Sequence, residues 1–122
     1  MGSNMNDLKA KKKLYKQTLR PMGIYQIKSL ASGKVYIGRS ADLDGKINSD
    51  RFQLRNNMHM NRELQGDFNA LGEEKFAFEI LDRLPPKEDP GYNYDADLQI
   101  LEALWLDKLQ PFGARGYHKQ KP

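Results

Sequence analysis

Two tripeptides, Gly23-Ile24-Tyr25 and Tyr36-Ile37-Gly38, stand ten residues apart as near mirror images, and Glu102 stands among the leucines of a later stretch. A phenol can hold a water or take its proton, but it titrates near pH 10, so a base role needs a nearby cation. Glu102 follows Leu98 by four residues and precedes Trp105 by three and Leu109 by seven, in the middle of an apolar stripe at helical spacing. A carboxylate turned inward must meet a cation, a hydrogen-bond network or the edge of a cleft. Paired phenols and an inward carboxylate can together support metal-assisted chemistry. Ordinary readings stand beside that one: cross-strand aromatic pairs are common stabilisers, each contributing under about 1 kcal/mol, and Glu102 can equally form an edge salt bridge with Arg55 or Arg62.

The rest of the chain narrows the chemistry. With 122 residues it suits one domain with a modest core. It has no cysteine, which excludes a disulfide framework, a thiolate metal site and a cysteine nucleophile. No apolar run approaches the roughly 18 residues of a membrane span, and the first residues lack a signal-peptide core, so a cytoplasmic protein with no membrane partner is expected. Met1-Gly2-Ser3-Asn4 before Met5 reads as a vector remnant. The net charge is +4, and it is not spread evenly: residues 1–21 carry six basic side chains against Asp7, residues 22–122 fourteen against fifteen acids. This predicts a basic arm over 1–21 on a near-neutral domain over 22–122. Lys11, Lys12 and Lys13 in that arm are candidate phosphate contacts, although a lysine-rich helix is as often simply solvated.

Elements follow from periodicity. Asn6 to Thr18 reads as a surface helix ended by Pro21. Met22–Lys28 and Lys34–Ser40 read as a hairpin around Ser32-Gly33. With Ser29 to Ser32 as the loop, Tyr25 falls opposite Tyr36 and Gly23 opposite Gly38, both phenols on one face and Ile24, Ile37 and Val35 on the other. Helices are predicted over roughly 46–56 and from an Asn61 cap to Gly72, a third strand over Phe76–Leu81, a loop over 84–95 and a helix over Asp95–Gln110. The sum is a small α/β (α+β) layer, a three-stranded antiparallel sheet covered by helices. His59 reads as a loop or capping residue.

The two tripeptides, the run His59-Met60-Asn61-Arg62-Glu63-Leu64-Gln65, the strand Phe76-Ala77-Phe78-Glu79-Ile80-Leu81, Glu102 with Trp105 and the closing Gly116-Tyr117 together resemble the GIY-YIG nuclease domain over about residues 22–118. The resemblance implies a Mg2+- (or Mn2+-) dependent phosphodiesterase acting on DNA, with Tyr25 and Tyr36 beside the scissile phosphate and Glu102 holding one metal ion. Which tyrosine would serve as base stays open. It also implies an arginine and, four residues later, a histidine; counted without gaps these positions hold Lys46 and Asp50. Arg39, or Arg51 one turn along the helix, can supply the missing guanidinium, and a guanidinium grips phosphate better than an ammonium does. The usual Gly-Tyr-Asn ending is here Gly116-Tyr117-His118, where His118 can donate to a phosphate. The alternative is a nucleic-acid-binding module that keeps the scaffold without the catalysis. No protein partner is expected.

Overall fold

The computed structural model describes residues 20–119, so the predicted N-terminal helix and Lys11, Lys12 and Lys13 lie outside the described residues. Strands β1 (Gly23–Ser29), β2 (Val35–Ser40) and β3 (Phe76–Arg83) form one antiparallel sheet in the order β2-β1-β3. Helices α1 (Leu43–Arg55) and α2 (Arg62–Leu71) join the second strand to the third, and α3 (Asp95–Leu109) follows.

Each strand of the hairpin presents one apolar set to each face, and both sets are covered. Tyr25, Ile27 and Phe76 pack with Leu43, Ile47 and Leu54 of α1 and Leu64 and Phe68 of α2. Ile24, Val35 and Ile37 pack on the opposite face against Leu101, Trp105, Leu106 and Leu109 of α3. Three layers result, with helices on both faces of a small sheet. Among the described residues no helix is long and apolar enough to cross a membrane.

The hairpin register differs from the expected one by two residues. Tyr25 pairs with Gly38, Ile27 with Tyr36 and Gly23 with Ser40. Gly33 causes the difference: its φ of +78° belongs to the left-handed region, so it closes the turn instead of opening the second strand. Its N–H donates to the Ser29 carbonyl at 2.8 Å, and the Ser29 N–H donates to the Lys34 carbonyl at 2.9 Å. A slip of two keeps every side chain on its face, so Tyr25 and Tyr36 still share a face, now diagonally.

Helix α1 starts three residues earlier than the predicted position 46, because Asp42 caps it by accepting from the Gly45 N–H at 3.1 Å. Asn61 caps α2 as expected, accepting from the Leu64 N–H at 3.0 Å. The buried stripe of α1 is Leu43, Ile47, Asp50 and Leu54. One of its four members is a carboxylate.

Candidate active site at the edge of the sheet

Strand β2 is an edge strand, and residues from both faces meet around it. Its outer rim is occupied by the chain after α3. Gly116 bridges to Val35 in parallel, and the Tyr117 N–H donates to the Val35 carbonyl at 3.0 Å. At the next step the Ile37 N–H donates not to a carbonyl but to the His118 Nε2, at 2.8 Å. An imidazole thus takes the place of a main-chain acceptor, and the edge is closed. Tyr117 anchors this segment: it is buried, its hydroxyl donates to Asp67 Oδ2 at 2.8 Å and its carbonyl accepts from Asn61 Nδ2 at 2.8 Å.

His118 is stacked on Tyr36, ring centroids 5.2 Å apart and 8° from parallel. With Nε2 accepting from Ile37, its proton sits on Nδ1, which leaves one N–H to offer a ligand. Burial pushes the imidazole below its ordinary value, against the pull of the Glu102 carboxylate. On the other side of Tyr36, His59 meets the ring edge-on at 5.3 Å.

The glycines of the two tripeptides have separate reasons. Gly23 has φ +152°, and a Cβ there would lie 2.0 Å from the Asp82 carbonyl oxygen, beside the bulge in the β1–β3 pairing. At Gly38 a Cβ would lie 2.6 Å from Cε1 and from the hydroxyl of Tyr25, because that phenol lies across the glycine. The second glycine makes room for the first tyrosine.

Tyr25 is fully buried and Tyr36 half-buried, so of the pair only Tyr36 is partly open to solvent. The Tyr25 hydroxyl donates to Asp50 Oδ2. Burial, then the bond to Asp50, then the Asp50 charge push the Tyr25 phenol far above its ordinary 10. Tyr36 is raised too, by burial and by the charges of Asp50 and Glu102. Neither phenol ionises near neutral pH in the metal-free protein. Asp50 is fully buried, with its second oxygen 3.3 Å from His59 Nε2 and 3.4 Å from Lys46 Nζ. Burial alone would raise its carboxyl, but His59, Tyr25 and Lys46 together hold it below the usual carboxylate range.

Glu102 lies in α3 against the other face of the sheet, its side chain 21 % exposed, near enough to Tyr36 and His118 to bias both. Its partner is Arg39 of β2, with Nη1 2.6 Å from Oε1. Arg55, one of the two partners considered from sequence, pairs with Glu73 instead. The structure therefore brings together Tyr25, Tyr36, Lys46, Glu102, Arg39 and His118. It does not bring in Arg51, whose guanidinium stacks over Phe78 at 4.5 Å and lines a cavity with Arg55 and Glu73. β3 is separated from β2 by the width of β1.

Two members of the cluster, Asp50 and His59, were not among the site residues read from the sequence. Asp50 carried a usable signal, since it interrupts the α1 stripe as Glu102 interrupts that of α3. His59 carried none, and its place in the loop between α1 and α2 agrees with the expectation for it. Its Nδ1 accepts from the Asn61 N–H at 3.1 Å and its own N–H donates to Gln65 Oε1 at 3.0 Å, so it braces the start of α2. It is nonetheless buried and turned on Asp50.

The family model of the GIY-YIG catalytic domain matches residues 21–118. The chain belongs to the GIY-YIG nuclease family. It is 33 % identical over 88 residues to intron-associated endonuclease 1 of Enterobacteria phage T4, an alignment spanning 71 % of this chain and 32 % of that protein. It thus corresponds to about a third of that relative's length. Among solved structures it resembles the catalytic domain of homing endonuclease I-TevI with a TM-score of 0.68 at 27 % identity, covering 82 % of this chain and 99 % of that one. It also resembles a mutant form of the same catalytic domain, with a TM-score of 0.66 at 28 % identity over 80 % and 92 % of the two chains. The GIY-YIG sheet and helices are shared.

Proposed function

We propose that this GIY-YIG domain is an endonuclease that hydrolyses DNA phosphodiester bonds with the help of a divalent metal ion, Mg2+ or Mn2+. The observation that supports the reading is the proximity of Tyr36, His118 and Glu102 at one sheet edge: a half-buried phenol stacked on an imidazole, with a carboxylate near enough to bias both. Beside them is a cleft of about 280 Å3 whose lining includes His118, Arg62 and Lys119, which suits a polyanion.

The donor set fits a hard cation held by few protein ligands. Among the described residues no cluster of three or more metal-ligating side chains exists, and Mg2+ is commonly held by one or two carboxylates with water and substrate phosphate filling the other positions. Glu102 is the carboxylate available, since Asp50 is buried beneath Tyr25 and already paired. When bound, the ion would neutralise charge building on the phosphoryl and leaving oxygens. The chain's own groups do the rest. Tyr36 holds the attacking water, the Nδ1–H of His118 donates to a phosphoryl oxygen, and Lys46, together with Arg39 once it leaves Glu102, balances the phosphate charge. Lys11, Lys12 and Lys13, outside the described residues, are proposed as further phosphate contacts. The absence of cysteine suits a reducing, cytoplasmic setting.

One observation favours the alternative, a DNA-binding module without catalysis: Lys46 and Arg39 are already paired, with Asp50 and Glu102. Plasmid nicking separates the two. A nuclease converts supercoiled DNA to nicked circles with Mg2+ and not with EDTA, and Glu102→Ala abolishes this while the melting temperature is kept. A binding module shifts DNA equally in both buffers and cuts in neither.

A further inference from the structure

The direction of the hydrogen bonds inside the cluster can be read from its inner end. Asp50 is wholly buried and has four polar neighbours: Tyr25 from β1, Lys46 from its own helix, His59 from the loop after α1, and Tyr36 of β2, which senses its charge. Because His59 Nδ1 accepts from Asn61, the proton of that imidazole is on Nε2 and faces Asp50. Lys46 brings only donors. Oδ1 lies 3.3 Å from His59 Nε2 and 3.4 Å from Lys46 Nζ without a hydrogen bond to either, and Oδ2 takes the Tyr25 hydroxyl, so the phenol supplies the one hydrogen bond the carboxylate accepts.

This has a consequence for the phenol that is partly open to solvent. A hydroxyl has one proton and two lone pairs. Tyr25 has committed its proton to Asp50, so it can offer its neighbour only lone pairs. The rings of Tyr25 and Tyr36 are 6.5 Å apart, tilted by 58°, on the same face of the sheet. If Tyr36 turns its proton inward to Tyr25, its own lone pairs face the cleft. Chains of this kind strengthen each member through polarisation.

We propose that Asp50, acting through Tyr25, is the positioning residue that makes Tyr36 an acceptor towards the attacking water. The inference rests on the nuclease reading of the site. Asp50 touches no substrate. What it supplies is direction: without a carboxylate at the inner end, nothing compels Tyr25 and Tyr36 to keep their protons turned away from the cleft.

Asn at position 50 provides the test. An amide has one oxygen, and the two donors, His59 and Lys46, would claim it. The amide nitrogen would then point an N–H at Tyr25 and reverse the chain. D50N is therefore expected to lower single-turnover cleavage by about 100-fold, within the range typical of acid–base and water-positioning groups, with DNA affinity in Ca2+ buffer within about twofold of wild type. Y25F, which removes the link and leaves Asp50 in place, is expected to lose a similar factor. The double variant is expected to be no slower than the slower single one, because both changes break one chain. A purely structural Asp50 would give additive losses and a matching loss of affinity, which overturns the proposal, as does a D50N that cleaves at the wild-type rate. Should D50N not fold, Y25F decides: a wild-type rate in Y25F overturns the chain, and a 100-fold loss with unchanged affinity supports it. A wild-type protein that cuts no DNA with Mg2+ or Mn2+ overturns the nuclease reading itself, which is a different result from an active enzyme indifferent to Asp50.

Discussion

Arg39 and Glu102 are joined across the edge of the sheet, the guanidinium from β2 and the carboxylate from α3, at 2.6 Å. If Glu102 holds a metal ion, as proposed, the guanidinium and the ion would compete for the same carboxylate. The Arg39 side chain is 41 % exposed, and pairs of that kind contribute up to about 1 kcal/mol after solvent screening. Arg39→Gln is expected to tighten Mn2+ binding to the DNA-free protein by up to about fivefold in a titration, since about 1.4 kcal/mol corresponds to tenfold. The same variant is expected to cleave more slowly, having lost a phosphate contact. Unchanged Mn2+ affinity would show that the pair and the metal use different oxygens.

Lys46 and Arg51 sit only five positions apart on α1 and face different surroundings. Lys46→Ala removes the cation beside Asp50 and is expected to raise the cleavage barrier by about 2–4 kcal/mol, as for a transition-state donor. Arg51→Ala removes a stacking contact on Phe78, a loss of about 0.5–1 kcal/mol in stability with the cleavage rate retained. Single-turnover rates of the two variants compare them directly, and a severe effect of Arg51 would move the phosphate towards β3.

Acidification should weaken the metal-free fold through His118. Its folded-state value is below the ordinary 6.5 because the ring is buried. As pH falls past 6.5 the unfolded chain takes the proton first, so stability present above that point is lost on the way down to the folded value. The depressed Asp50 acts in the same direction, at pH below its ordinary 3.8. Urea midpoints at pH 7.5 and 5.5 are expected to differ by more in the wild type than in His118→Gln. An equal difference would assign the pH effect elsewhere.

Gly38→Ala is expected to destabilise the domain by about 1–3 kcal/mol, the usual range for forcing atoms into a packed core. The new methyl would meet the Tyr25 ring at 2.6 Å. Because that ring carries the hydroxyl bound to Asp50, cleavage should fall as well. Thermal melting and nicking on the same sample check both halves, and a variant as stable as wild type would mean that the ring can move aside.

Much of the fold was legible because each element carried its own signal. The hairpin, the Asn61 cap, the β3 alternation and the α3 stripe are local patterns, and local patterns survive into the structure. The register was misplaced by two residues because either Ser29 or Leu30 can open a four-residue turn, and only the positive φ of Gly33 chooses. Faces were right in spite of this, since the side-chain period is two. The site was half legible: Glu102 betrayed itself as a charge in an apolar stripe, and Asp50 offered the same clue at its own position in α1. His59 and the partner of Glu102 were not readable, because loop placement and cross-layer pairing depend on how α1, α3 and β2 settle against each other. No spacing within one element encodes that.

The edge of β2 is completed by residues 116–118, and the other members of the site begin at Tyr25. During synthesis the hairpin and α1 leave the ribosome long before His118 does. No shorter N-terminal fragment holds the assembled site, and until residue 118 arrives the outer rim of β2 is an open strand that can pair with a neighbouring nascent chain. The same three residues therefore time the birth of the site and guard the chain from its own sheet, so damage to them should be felt in the yield of folded protein.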